Sequence, residues 1–299
     1  MAFTIVYLIA IHLILPAIFI FVLWRGSFDS KFEWLLECVT TTVFIVWIVQ
    51  AGSWDWLSYY LRFVWPVLLL VAVIRSWKQT RELPFRMTFN GKKILSIGIY
   101  AVLLIVFGVY NIFVFSSYTT NEQAIALTFP LDNGTYYVGQ GGNHVQMNYH
   151  HAYPPQKYAL DIVKLNKLGT RANGLYPKEL GKYAIYGDVL YSPCNGEVLE
   201  ARDGLPDFIP PEADPERPEG NYVALKCEHS DAAVYIAHMQ KGSVAVEQDE
   251  QVTEGQMIGK VGNSGNTSEP HMHIHAEKDG KGVPIRFDGR FLVRNSLVR

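Results

Sequence analysis

Three histidines alternate with apolar residues near the end of the chain, in the segment PHMHIHAE. His271, His273 and His275 are separated by Met272 and Ile274. Because successive side chains of a β-strand point to opposite faces, the three imidazoles share one face while the apolar pair enters a core. Zinc favours imidazole nitrogen and carboxylate oxygen in a tetrahedral shell, and a catalytic site keeps one position for water. This row therefore predicts a zinc site.

The surrounding sequence predicts the elements that position this site. From about residue 135 onward, short β-branched and aromatic runs are separated by Gly, Pro, Asn and Asp, which is typical of many short strands joined by turns. Residues 203–219 carry five prolines, which cannot supply ladder hydrogen bonds, so this segment must leave the sheet. A solvated loop is favoured for it over a wall of a substrate groove. We predict a mainly antiparallel β domain, with strands at 158–164, 188–191, 196–201, 222–228, 233–238, 256–261 and 271–277.

Two segments, VYIAHMQKGSV and QVTEGQMIGKVGNSGNTSEPHMHIHAE, carry a family resemblance. They resemble the lysostaphin-type, or LytM-like, zinc metallopeptidases, which cleave peptidoglycan peptides. The resemblance covers roughly residues 138–295, including the turn chemistry of YSPCNGEVLEA, and none of the N-terminal part. It implies that His273 binds zinc, that His271 acts on the catalytic water, and that His238 helps to stabilise the tetrahedral intermediate.

The other ligands of this family normally come from an H-x-x-x-D motif, which is altered here. QKYALDI keeps Asp161 but has Lys157 in the place of the histidine. Family members with similar variant segments take the histidine from further upstream, where NYHHAYPPQKYALDI offers His150 and His151. We choose His150 because of a resemblance to N-x-H in such variants. His151 is the rival ligand, and His144 is a more distant candidate.

The remaining histidines and the three cysteines have no predicted catalytic role. His275 is interpreted as a supporting or satisfied polar residue rather than a ligand, and His229 as a solvent-exposed turn residue. Cys194 and Cys227 lie on predicted strands, so they form a disulfide in an oxidising compartment if their Cα atoms are close enough. Cys38 lies in an apolar segment and is interpreted as inert packing.

The N-terminal part has a different composition. The chain has 49% hydrophobic residues and a mean hydropathy of +0.08, and the apolar surplus is concentrated before residue 117. A membrane-spanning helix needs roughly 20 apolar residues, and four stretches approach that length: 3–24, 34–51, 56–74 and 94–115. We therefore predict an all-α membrane bundle of about four transmembrane helices over residues 1–116, followed by a zinc metallopeptidase domain over residues 117–299.

The distribution of positive charge predicts how such a bundle is oriented. Lys and Arg collect after the third stretch, which places residues 75–93 in the cytoplasm. Four spans then put the C-terminal domain outside the cytoplasm, in a multi-pass protein of the cell membrane. The expected partners are the lipid bilayer and peptidoglycan peptides. A formal net charge of −2, without a concentrated basic surface, gives no reason to expect a nucleic-acid partner.

Two other functions compete with a peptidase. A catalytically inactive cell-wall-binding or hydrolase-activating module is the first, because some relatives of the family have lost ligands. The second is a biotinyl or lipoyl carrier, which the Gly-Val turns of YSPCNGEVLEA and VTEGQMIGKVG resemble, but no Met-Lys-Met-like tripeptide accompanies them. The presence of Asp161, His238, His271 and His273 at matching positions favours the enzyme.

Overall fold

Residues 2–299 are described by a computed structural model. The chain divides into two compact units. The first contains the residues up to Trp54 together with Ser58–Phe115, and the second contains Asp55–Leu57 together with Ser116–Arg299. The second unit therefore includes a tripeptide that is remote in sequence from the rest of it.

The first unit is helical. Its elements are α1 (Ala2–Ile9), a π-helical turn (Ala10–Ile14), α2 (Leu15–Arg25), α3 (Lys31–Ala51), α4 (Leu61–Thr80) and α5 (Gly91–Ser116). Ser30 caps α3, because its hydroxyl accepts a hydrogen bond from the otherwise unpaired N–H of Glu33. The interior of this unit is formed by apolar side chains of α2, α3 and α4, among them Leu23, Phe44 and Trp65.

The number of apolar spans differs from the prediction. Among the described residues, three helical stretches are long and apolar enough to cross a membrane: Phe3–Arg25, Lys31–Ala51 and Gly91–Ser116. Three of the four predicted spans thus have the length and composition to cross, and the third predicted span does not. Where the third span was predicted, α4 begins only at Leu61, and its charged residues Arg62, Arg75 and Lys78 make it less apolar than the other stretches. The predicted placement of residues 75–93 in the cytoplasm and of the C-terminal domain outside it requires only that Gly91–Ser116 crosses the membrane, and it stays a prediction.

The second unit is built from thirteen short strands among the described residues. They are β1 (Ile125–Leu127), β2 (Tyr136–Gln140), β3 (Leu160–Lys164), β4 (Val189–Tyr191), β5 (Gly196–Arg202), β6 (Asn221–Cys227), β7 (Ala233–Met239), β8 (Gln251–Val252), β9 (Met257–Lys260), β10 (Met272–Lys278), β11 (Lys281–Val283), β12 (Ile285–Phe287) and β13 (Leu297–Val298). Seven of them coincide with predicted strands to within two residues at each end.

The strands form one large sheet and two small ones. The large sheet has the order β13-β2-β3-β10-β7-β6-β5-β8, with β11 paired to β10. Its named strand pairs are antiparallel, as are β4 and β9, whereas β1 and β12 pair in parallel. The prediction of a helical N-terminal part followed by a mainly antiparallel β domain is therefore confirmed.

One face of the large sheet carries the core of this unit. Met272, Ile274 and Ala276 of β10 are buried there with Ile162 and Ile236 of the neighbouring strands. This is the apolar face that the alternation in PHMHIHAE predicts, and it leaves the histidines of β10 on the opposite face. Burial of apolar side chains on one face fixes the register of the strands, because a shift by one residue would turn every side chain over.

A disulfide links Cys194 and Cys227, whose Cα atoms are 5.8 Å apart. Cys227 ends β6 and pairs with Gly196, the first residue of β5, so the disulfide joins the end of β6 to the bend just before β5. The Cα separation that the sequence alone leaves open is thus within bonding range.

Candidate metal centre

The strand order brings the predicted residues together. β10 lies between β3 and β7, and its register places His273 opposite Asp161 on one side and Ala237 on the other. His238 follows Ala237 at the end of β7, so it lies beside the same part of β10. Asp161, His238 and His273 are buried, and His271 immediately precedes β10. Residues that are distant in sequence therefore meet because three strands are adjacent.

His150 comes from outside the sheet, in a short 3-10 turn, Tyr149–Ala152. The turn is held by the buried side chain of Asn148. Its carbonyl oxygen accepts a hydrogen bond from the N–H of His150, and its amide donates to the carbonyls of Gly142 and Ala159. This arrangement places Nε2 of His150 3.0 Å from both carboxylate oxygens of Asp161.

Three side chains form a compact set of potential ligands: His150, Asp161 and His273. Nδ1 of His273 lies 2.9 Å from Oδ1 of Asp161, and the ligand atoms all lie within 4.8 Å of one another. Ligands about 2.1 Å from a zinc ion at tetrahedral angles are roughly 3.4 Å apart. The donor types and their spacing therefore fit a small tetrahedral ion such as zinc.

The other upstream histidines lie elsewhere. The potential metal groups found among residues 2–299 include neither His151 nor His144, and the rings of these two histidines stack on each other at 6.2 Å. Lys157, which replaces the expected histidine, instead bonds Oε1 of Glu122 through its Nζ at 2.7 Å. The geometry thus brings His150, the predicted choice, to the carboxylate of Asp161.

The two predicted catalytic histidines present the same ring atom to the site. Nδ1 of His238 lies 2.9 Å from the carbonyl oxygen of Ser264, and Nδ1 of His271 lies 2.8 Å from that of Glu269. A carbonyl only accepts hydrogen bonds, so Nδ1 carries the proton in both rings. This leaves both Nε2 atoms for the site. The ring centroids are 4.8 Å apart, and with His273 the two histidines form a second potential metal group.

The backbone at His238 departs from a regular strand. Its φ is 62°, in the left-handed region that residues with a side chain rarely adopt. Its N–H donates to the carbonyl of Glu219, and its own carbonyl accepts from the N–H of Gly262. The pairing of β7 is therefore irregular at the residue whose ring must turn toward Ser264, and it resumes at Met239, which pairs with Asn221.

Burial and neighbouring charges act on the titratable groups in opposite directions. Burial alone would raise the pKa of Asp161, but the charges of His150 and His271 and their hydrogen bonds outweigh it and hold that pKa well below its usual value. Burial, together with repulsion from His271 and His273, keeps the pKa of His238 well below its ordinary value. Although burial lowers it, the pKa of His271 is raised overall by the carboxylate of Asp161.

Two further side chains support this set. Nε2 of His273 lies 3.0 Å from Nδ1 of His275, whose ring stacks on Tyr235 with centroids 4.8 Å apart and planes 5° from parallel. His275 is thus placed as the supporting residue that its position in the row suggests. The hydroxyl of Tyr149 donates to Oδ2 of Asp161 at 3.2 Å. Sequence reasoning missed Tyr149, and its only signal is its place directly before His150.

The site opens into a cavity of about 340 Å³. His150, His238 and His273 line it, together with Tyr149, Tyr153, Gln156, Pro218, Glu219, Ala237 and Asn266. Pro218 and Glu219 belong to the proline-rich segment 203–219. The end of that segment therefore forms part of the cavity wall, although a solvated loop was the favoured interpretation. His229, by contrast, is exposed, as predicted.

Comparison with known proteins finds one family model that matches part of this unit. Residues 183–285 match the model of Peptidase family M23. That segment includes His238, His271 and His273, whereas His150 and Asp161 lie upstream of it. The coincidence of the matched segment with three of the clustered histidines supports a peptidase-type function.

Several solved structures are similar to part of this chain. A peptidase M23 structure from Pseudomonas aeruginosa is 18% identical, with 55% of this chain and 50% of that chain covered and a TM-score of 0.32. A zinc-containing peptidase from Vibrio cholerae is also 18% identical, with coverage of 54% and 39% and a TM-score of 0.31. The catalytic domain of lysostaphin from Staphylococcus simulans is 20% identical, with coverage of 37% and 83% and a TM-score of 0.24. The chain thus spans half or less of the first two structures. The match of residues 183–285 to the model of Peptidase family M23 agrees with the resemblance to lysostaphin-type peptidases carried by the motifs.

Proposed function

We propose that this chain is a membrane-anchored zinc metallopeptidase that hydrolyses peptide bonds in peptidoglycan stem or cross-bridge peptides. The observation that carries the proposal is the meeting of His150, Asp161 and His273 within 4.8 Å, beside the paired rings of His238 and His271. Three protein ligands with room for water are the pattern of a catalytic rather than a structural zinc site. The three apolar helical stretches supply the anchor, and the domain acts outside the cytoplasm.

Nε2 of His150, the carboxylate of Asp161 and Nδ1 of His273 would hold the ion. Bound zinc supplies two things, a lower pKa for water and polarisation of a carbonyl oxygen. His271 offers Nε2 as a proton acceptor, because its Nδ1–H is held by the carbonyl of Glu269. It takes a proton from the water that attacks the scissile carbonyl carbon. The same geometry would later let the protonated ring give that proton to the leaving amine.

His238 has a complementary role, and its ring lies beside that of His271, with the centroids 4.8 Å apart. Its Nδ1–H is held by the carbonyl of Ser264, so only Nε2 is directed to the substrate. The negative charge that develops on the substrate oxygen raises the pKa of the ring, so that Nε2 takes up a proton from solvent in the cavity and donates it in a hydrogen bond to that oxygen. A positioned donor at this point lowers the barrier more than most other single contacts. The cavity wall formed by Tyr149, Tyr153 and Glu219 would hold the peptide on either side of the reacting bond.

The experiment that tests this function uses the full chain in detergent micelles. Zinc content is measured after purification, and purified peptidoglycan of several cross-link types is digested and the released peptides identified by mass spectrometry. We expect bound zinc and new peptide termini, and loss of both in His273→Ala. His229→Ala is the matched control, because His229 is exposed and outside the two histidine groups. Bound zinc without any cleavage would instead favour an inactive wall-binding module, and absence of zinc would refute the proposal.

A further inference from the structure

Arg171 is a buried cation in the second unit, with only 1% of its surface exposed. Its Nε donates to Oε2 of Glu269 at 2.6 Å and lies 3.8 Å from Oδ2 of Asp55. Its Nη2 donates to the carbonyl of Leu175. An arginine cannot lose its charge by deprotonation, so two nearby carboxylates are what make its burial tolerable.

Asp55 and Trp56, from the tripeptide Asp55–Leu57 of this unit, both contact the same guanidinium. The ring of Trp56 lies 3.3 Å from the Cζ atom of Arg171, and the carbonyl of Asp55 accepts the backbone N–H of Arg171 at 3.0 Å. Stacking of a guanidinium on an indole is among the stronger cation–π contacts. Asp55 and Trp56 therefore fix both the backbone and the side chain of Arg171.

Two chains of contacts run from this tripeptide to the segment that precedes β10. In the first, Arg171 joins Asp55 to the side chain of Glu269. In the second, the ring of Trp56 packs against Tyr176 at 5.3 Å, and the hydroxyl of Tyr176 donates to the carbonyl of Ser268. Both chains end at adjacent residues, so they act together on one short stretch of backbone.

That stretch holds the ring of His271. The carbonyl of Glu269 lies 2.8 Å from Nδ1 of His271 and also accepts the hydroxyl of Thr267. A shift of this carbonyl would change both the orientation and the tautomer of the imidazole. Small misplacements of a catalytic group cost far more in rate than in substrate binding.

We propose that Asp55 and Trp56 are positioning residues of the catalytic site, which act through Arg171 and Tyr176 on the Ser268–Glu269 backbone and thereby on His271. The role of His271 itself rests on the proposed function. A fragment that begins at residue 116 lacks both residues, so the full chain is the form to measure.

The test compares Asp55→Asn and Trp56→Ala with the full-length protein in micelles. Asp55→Asn removes the charge beside the guanidinium but keeps the backbone carbonyl that accepts the N–H of Arg171. Trp56→Ala keeps both carboxylates and serves if the first variant fails to fold. Asp231→Asn is the control, because it removes a carboxylate from an exposed ion pair with Lys278.

Three quantities are measured: hydrogen–deuterium exchange of peptides covering 263–275, zinc affinity, and kcat and KM on a muropeptide. We expect faster exchange in this segment and a fall of kcat by about tenfold, as for groups that orient a functional histidine, with zinc affinity and KM unchanged. The control should match the wild type in all of them.

Unchanged exchange in both variants would overturn the positioning role, and so would faster exchange with an unchanged kcat. A parallel loss of zinc affinity would show a general loss of the fold and would overturn it as well. If the wild-type chain cleaves no peptide, the proposed function is wrong. The exchange of residues 263–275 then still decides whether Asp55 and Trp56 hold that segment.

Discussion

His150 and His151 are adjacent in the chain, yet only the first reaches Asp161, which makes them a matched pair for measuring what one ligand contributes. We expect His150→Ala to weaken zinc binding strongly and His151→Ala to leave it nearly unchanged. Zinc binding at protein sites is worth about 10–16 kcal/mol at neutral pH. If three protein ligands share about 10 kcal/mol evenly, one ligand accounts for roughly 3 kcal/mol, or about two orders of magnitude in Kd.

The loss should stop short of complete release, for a reason visible in the site. His238, His271 and His273 form a second potential metal group that does not include His150. Competition between the full chain and a chelating dye, at neutral pH, gives the Kd of each variant. The reasoning is refuted if His150→Ala binds zinc within about threefold of the wild type, a difference below 1 kcal/mol, or if His151→Ala shows the larger loss.

Three further predictions address the supporting residues. His275→Phe keeps an aromatic ring against Tyr235 but removes the acceptor for Nε2 of His273, so zinc affinity should fall by about tenfold. His275→Gln keeps a hydrogen-bonding side chain, so zinc affinity should fall less. Equal zinc affinity in the two variants would contradict this role. Replacing Cys194 and Cys227 by serine opens a loop spanning 33 residues and should lower the free energy of unfolding by about 3–4 kcal/mol, to be measured by denaturant titration. Because burial raises the folded-state pKa of Asp55 from 3.8 to about 6, the folded unit binds this proton more tightly. The contribution of Asp55 to the free energy of unfolding is therefore full below about pH 4 and is lost as the pH rises through 6. The free energy of unfolding of the wild type, measured between pH 4 and 7, should show this dependence, and that of Asp55→Asn should not.

The strands of the second unit could be predicted because their signal is local. Alternation and β-branched runs mark where a strand begins and ends, and they also place Met272 and Ile274 in the core. The strand order has no such local signal. The parallel pairing of Ile125 with Ile285 joins residues 160 positions apart, and β2, β8 and β13 are too short or too interrupted to stand out.

The site was predictable in its residue types and only partly in its geometry. The choice between His150 and His151 depends on the turn that Asn148 holds, and neighbouring residues of one turn point in different directions. Tyr149 and Arg171 have no sequence pattern that distinguishes them from surface residues. The third predicted span is not among the stretches that are apolar enough to cross, because α4 carries charged residues toward both of its ends.

The left-handed backbone at His238 lowers the stability of the fold at the same position where an imidazole is needed for the chemistry. A residue with a Cβ pays about 1–2 kcal/mol for this conformation, whereas glycine adopts it freely. Both His238→Ala and His238→Gly lose the buried imidazole and its hydrogen bond to Ser264, but only glycine relieves the backbone, so His238→Gly should be the more stable of the two variants. Among inactive variants at this position, a library screened only for heat resistance should therefore enrich glycine over alanine.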